Sequence, residues 1–159
     1  MKKIVLKISL FILLLLTISC GFKVLNKSEI NNYSIKEIVT TGDKKISYKV
    51  KSNLLSYSKK LSQNELILYV DVKKTKNIKE KNIRNEITKY QINLNINVSY
   101  NLLGSSNELK KMNFAINGDY NVAEFHSNTI SNENKLLDNL VQNISDEISN
   151  EIKIKMNDF

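Results

Sequence analysis

From Tyr90 to Leu102 every second residue is apolar: Tyr90, Ile92, Leu94, Ile96, Val98, Tyr100 and Leu102, separated by Gln91, Asn93, Asn95, Asn97, Ser99 and Asn101. Side chains alternate across a strand, so this stretch is a long strand with one apolar face and one amide-rich face. Such a strand needs a covering layer on one side and water or a polar partner on the other. Gly104-Ser105-Ser106-Asn107 supplies a turn, after which Met112, Phe114, Ile116, Tyr120 and Val122 resume the alternation. Gly118 interrupts the pattern and predicts a bulge or bend. Two long hairpin strands, each apolar on one face only, therefore frame the fold.

The flanking segments supply the rest. In Glu65 to Lys73, Leu66, Leu68, Val70 and Val72 alternate with residues that include Ile67 and Tyr69, which predicts a strand partly apolar on both faces. Lys73 to Asn85 is rich in lysine and asparagine and is expected to be a long hairpin tip, with strand continuing partway up it. Ser34 to Thr41, carrying Ile35, Ile38 and Val39, forms a first strand that Gly42-Asp43 ends, with Asp43 as N-cap of a helix. Ile46, Val50, Leu54, Tyr57 and Leu61 recur at helical spacing and give that helix one apolar face, ending near Ser62. After a polar linker from His126 to Asn134, Leu137, Leu140, Val141, Ile144, Ile148 and Ile152 trace a second helical stripe, with Ser131 or Asn132 as its cap. The order predicts an α+β two-layer sandwich: two helices on one face of a four-stranded, mostly antiparallel sheet.

The N-terminus has a different grammar. Lys2, Lys3 and Lys7 precede a greasy run from Ile8 to Leu16, then Thr17-Ile18-Ser19 and the only cysteine, Cys20. A basic region, a short apolar core and a small residue before the cut form a bacterial secretory signal over residues 1–19. The apolar segment falls short of the roughly 20 residues that span a bilayer. Leu16-Thr17-Ile18-Ser19-Cys20 resembles a lipobox, with Thr17 standing where Leu is usual. Cys20 has no second cysteine to pair with, and is expected to carry acyl chains such as palmitate that hold the protein to a membrane. Residues 20–33 then form a tether, and residues 34–159 one domain.

Composition excludes more than it assigns. Of the +8 net charge, Lys2, Lys3 and Lys7 leave with the signal, so the remaining chain is only moderately basic. Anionic partners such as lipid phosphates fit that charge; so does a genome whose codons favour Lys, Asn and Ile. Export, and the lack of a basic helix or an aromatic-basic motif, argue against nucleic acid. His126, the only histidine, lies in a polar segment and is expected at the surface rather than as a base. With one Cys and one His there is no zinc set, and no metal or other cofactor is expected. The chain has no phosphate-cradling glycine loop and no nucleophile elbow, and a hydrolase would need Glu65, Asp71 or Asp119 to cluster. The chain is expected not to be an enzyme.

Cys20-Gly21-Phe22-Lys23-Val24-Leu25 resembles the opening of the LPS-assembly lipoprotein family LptE. Arg84-Asn85, leading into Lys89-Tyr90-Gln91-Ile92-Asn93-Leu94, is similar to that family's hairpin tip and the strand after it. Tyr120-Asn121, the polar linker and the C-terminal helix follow the same order, so the likeness covers nearly the whole chain. It implies a non-enzymatic lipoprotein of the outer membrane, anchored on the periplasmic side through Cys20. The domain would plug and support the LPS-assembly barrel (an LptD-like protein) and aid lipopolysaccharide delivery to the surface. It also implies a lipopolysaccharide contact at Arg84, whose planar fork can grip a phosphate, flanked by Lys79, Lys81 and Lys89. A solvated lysine loop is the competing account of the same residues. A free outer-membrane lipoprotein, acting as a lipid-transport accessory or binding a small apolar ligand, is the alternative function.

Overall fold

In the computed structural model, residues 31–104 and 109–157 are described. The signal segment, the lipobox, Cys20 and most of the tether lie outside them, as does the turn after Gly104. The chain runs β1 (Tyr33–Gly42), α1 (Lys44–Tyr57), β2 (Asn64–Lys81), β3 (Ile87–Leu102), β4 (Lys110–Asn121) and α2 (His126–Asn157). The sheet order is β1-β2-β3-β4. β1 pairs parallel with β2, and the other two pairings are antiparallel. This is the four-stranded α+β sandwich that the stripes predict.

Alternation decides which face is covered. Ile92, Leu94, Ile96, Val98 and Tyr100 are buried, and Val72, Val70, Leu68, Phe114 and Met112, which stand beside the last three on the neighbouring strands, are buried with them. From α2, Leu137, Leu140, Val141, Ile144, Ile148 and Ile152 join the same core. From α1, Ile46, Val50, Leu54 and Tyr57 do so. The helices run parallel: Lys45 to Asn134, Lys49 to Asp138 and Asn53 to Gln142 are each 89 residues apart and bonded across the helix pair.

Several elements differ from the sequence expectation. The first helix stops at Tyr57, because Ser58 turns extended and its hydroxyl accepts the Ile35 N–H at 2.7 Å, while Lys59 donates to Tyr33 O. Leu61, expected on the helix stripe, is therefore 86% exposed. The strand expected partway up the lysine-rich tip is there and runs through Lys81, because each residue from Lys73 to Ile78 pairs with one of β3. The supposed linker from His126 to Asn134 is already helix, so Ser131 and Asn132 lie inside it rather than capping it. Its polar residues face other elements: Thr129 Oγ1 accepts the Ala123 N–H, and Asn132 donates to Asn121 O.

Two further corrections concern single positions. Gly118 marks no bulge, since β3 and β4 stay in register past it. Instead a Cβ there would lie 2.6 Å from Leu136 Cδ1, so glycine lets α2 approach the sheet. The tether expected through Tyr33 ends earlier. Asn31 is buried, donating to Tyr57 O at 2.7 Å and Ser149 Oγ at 3.2 Å, and Tyr33 is fully buried.

Candidate lipid-phosphate site at the hairpin tip

The β2–β3 hairpin ends in a turn built by one asparagine. Asn82 Oδ1 accepts the backbone N–H groups of Arg84 at 2.9 Å and Glu86 at 3.0 Å. Its own N–H donates to Glu86 O, its carbonyl accepts from Asn85 N–H, and Asn85 takes the left-handed conformation at φ 63°. Asparagine suits both roles, as an acceptor for nearby backbone N–H groups and as a residue that tolerates positive φ. The turn is therefore defined by its own bonds and holds Ile83 and Arg84 outward; Ile83 is fully exposed.

The four basic residues expected at this end are all there, but each has a partner. Arg84 Nε lies 3.5 Å from Glu86, Lys89 is 2.7 Å from Glu80, and Lys79 pairs with Asp119 on β4. Lys81 donates to Asn85 Oδ1 at 3.0 Å. The tip is thus a mixed-charge surface, not a bare cationic one. Exposed pairs of this kind are weak, so a phosphate could displace a carboxylate at little cost. Arg84 is the best placed, being exposed and at the apex.

Behind the tip, on the helix-covered face, the register brings Tyr90 opposite Tyr120. Their rings stack at 5.6 Å, and the Lys76 ammonium sits 4.3 Å from the Tyr90 ring centre. Lys76 and the Tyr120 hydroxyl both donate to Glu133 at 2.7 Å. This cluster clamps the first turns of α2 to the tip end of the hairpin. It escapes sequence reading because Glu133 lies in the segment expected as linker; the one signal is Tyr90 and Tyr120 in two neighbouring stripes. A cavity of about 360 Å³ adjoins it, lined by Ile87, Val122, His126 and Ile130 among others. His126 is exposed, as expected.

Burial raises the Glu133 carboxyl, but hydrogen bonds from Lys76 and Tyr120 outweigh that and hold it below its usual 4.5. The Lys79 hydrogen bond holds Asp119 below its usual 3.8. A carboxylate depressed in the fold contributes stability that is present above its unfolded value and lost as pH falls through the folded one. Stability should therefore drop below about pH 4.5, and Glu133→Gln should shrink the drop between neutral pH and about pH 3. Urea unfolding at both pH values measures this. An unchanged acid drop would show that the cluster contributes nothing to it.

Elsewhere, Glu65, Asp71 and Asp119 do not meet. Glu65 and Asp71 are six residues apart on β2, about 20 Å along a strand. Asp71 is bonded to Thr41 Oγ1 and Asp119 to Lys79. The uncovered sheet face carries Asn95, Asn97, Asn113 and Asn117, all exposed. A cleft of about 740 Å³ opens between the end of β1 and α1, bordered by Thr40, Lys44, Tyr48, Lys51 and Leu55. Among the described residues no helix is long and apolar enough to cross a membrane.

A comparison with solved structures matches this arrangement. Rare lipoprotein B from Shewanella oneidensis superposes with a TM-score of 0.59 at 13% identity, covering 77% of this chain and 98% of that one. The two share a fold. A protein of Caulobacter crescentus CB15 assigned as a lipoprotein gives a TM-score of 0.52 at 12% identity, over 76% of this chain and 90% of that one. No protein-family model and no curated protein sequence matches the chain.

Proposed function

We propose that this chain is an outer-membrane lipoprotein, anchored on the periplasmic side through Cys20, whose domain plugs and supports the LPS-assembly barrel without catalysing a reaction. The observation that carries the reading is the one-sided sheet. Helices fill one face, while the other presents Asn95, Asn97, Asn113 and Asn117, side chains suited to the polar, wet interior of an outer-membrane barrel. The fold shared with rare lipoprotein B, and the likeness of Cys20-Gly21-Phe22 and Lys89-Tyr90-Gln91 to the LptE family, support the same assignment. Affinity purification from membranes is expected to bring down a large barrel protein, and Cys20→Ala to reduce its recovery. Recovery of the intact chain without any barrel protein would sink the proposal.

At the tip, Arg84 is the proposed lipopolysaccharide contact, with Lys79, Lys81 and Lys89 supporting it. Arg84→Glu should weaken lipopolysaccharide binding roughly tenfold, about 1.4 kcal/mol, without altering the fold. Equal binding by the variant would return the tip to the status of a solvated loop. A second reading has its own observation. The cleft beside Tyr48 and Leu55 favours a free lipoprotein that carries a small apolar ligand; its mark would be ligand retention without a barrel partner.

A further inference from the structure

The α1 helix carries two stripes. Ile46, Val50, Leu54 and Tyr57 face the core, while Lys44, Tyr48, Lys51, Ser52 and Leu55 recur at helical spacing on another side, toward the end of β1. Large apolar groups stand in the open there: Tyr48 is 74% and Leu55 44% exposed. Between this second stripe and β1 lies the cleft of about 740 Å³, within the range of small-molecule sites, about 300–1,000 Å³. As an edge strand β1 offers little to a further strand, because Tyr33 O, Ile35 N–H and Ile38 O are already bonded to Lys59, Ser58 and Lys51. What remains is a cleft walled by side chains.

We propose that this cleft holds one long-chain fatty acid, its carboxylate at Lys44 and its chain along Tyr48, the Lys51 stem and Leu55. Charge selects the head group. No acidic residue lines the cleft, and Lys44 makes no ion pair among the described residues. At the hairpin tip, by contrast, Lys79, Arg84 and Lys89 each have a carboxylate. Lys51 already donates to Ile38 O at 2.9 Å, so its stem serves as apolar wall and one ammonium is left to match. A singly charged carboxylate suits that better than a phosphomonoester of about −1.5 to −2. Length selects one chain. Lys44 to Leu55 spans about 16 Å of helix, and one acyl chain fills half of the ~30 Å hydrocarbon core of a bilayer, about 15 Å. The site goes beyond the plug reading without opposing it. Gly42, at the cleft, stands beside Val72, about 30 Å along β2 from Lys81, so a bound chain leaves Arg84 and the asparagine-rich face free. For the second reading it names the class of ligand.

Photolabelling of the full acylated chain in its native membrane reads the site directly. A palmitate analogue with a mid-chain diazirine should label peptides between Thr40 and Leu55 on illumination, and excess palmitate should suppress the label. Hexadecanol, of equal length and no charge, should need roughly tenfold more to compete. Lys44→Glu should cut labelling by a similar factor, Lys44→Arg should keep it, and Leu55→Asn should lower it. Label falling mainly outside that segment, or unchanged in both Lys44→Glu and Leu55→Asn, overturns the proposal. So does a lysophosphatidate of the same chain length that competes tenfold better than palmitate, since the head group read there would then be a phosphate. The unsubstituted chain is the one first labelled, so the site is tested whether or not a variant folds. Barrel recovery is a separate readout: failure to label leaves it standing, and failure to recover a barrel leaves the label standing.

Discussion

Gly42→Ala is expected to destabilise the domain by about 4 kcal/mol or more, the range reached only by a few well-defined mechanisms. Gly42 has φ 89°, where an L side chain is strained, and a Cβ there would lie 2.0 Å from Val72 O. That atom is backbone and cannot swing away. It also accepts the Asp43 N–H at 2.9 Å, and Asp43 Oδ1 in turn caps α1 at Ile46 N. One methyl group therefore strains a dihedral, pushes β1 off β2 and disturbs the helix start together. Gly104 supplies the control: its φ is 86° but among the described residues nothing lies within 4 Å of an added Cβ. Gly104→Ala should cost only the dihedral strain, about 1 kcal/mol. Denaturant unfolding of both variants separates clash from strain, and equal losses would refute this account of Gly42.

The second large effect tests the one-sided sheet. Ile96 is fully buried between Val72 and Phe114, and Ile96→Ala should cost about 2–5 kcal/mol through lost transfer energy and the cavity left behind. Its neighbour Asn97 is exposed between Asp71 and Asn113. Asn97→Ala should stay within about 0.5 kcal/mol while weakening any polar partner of the open face. If Asn97→Ala matched Ile96→Ala in cost, the open face would be part of the folding core.

How legible each element is depends on where its information resides. β3 and β4 can be read from the sequence because period-two alternation is local and both strands bury one face. How far β2 continues past Lys73 cannot, since Lys73, Lys74, Lys76 and Asn77 have weak strand preference and are held as strand by β3 beside them. Likewise the first turns of α2 depend on Tyr120, Asn121, Ala123 and Lys76, none of them visible to helical periodicity. The parallel pairing of β1 with β2 leaves no trace in either strand's own sequence. At the tip, the basic residues can be named from the sequence, but Asp119 is 40 residues from the Lys79 it engages. The charge balance there is a property of the sheet.

The chain enters the domain at Asn31, beside Tyr57 and Ser149, next to the first residues of β2, whereas Arg84 stands just past the last. The 18 residues of β2 thus separate entry from apex by about 55 Å, nearly twice the ~30 Å hydrocarbon core of a bilayer. The described residues form a strut with Asn31 at one pole and Arg84 at the other. Under the proposed anchoring through Cys20, a strut fastened at its foot reaches its target by pivoting, so the angle it takes would set what Arg84 can meet.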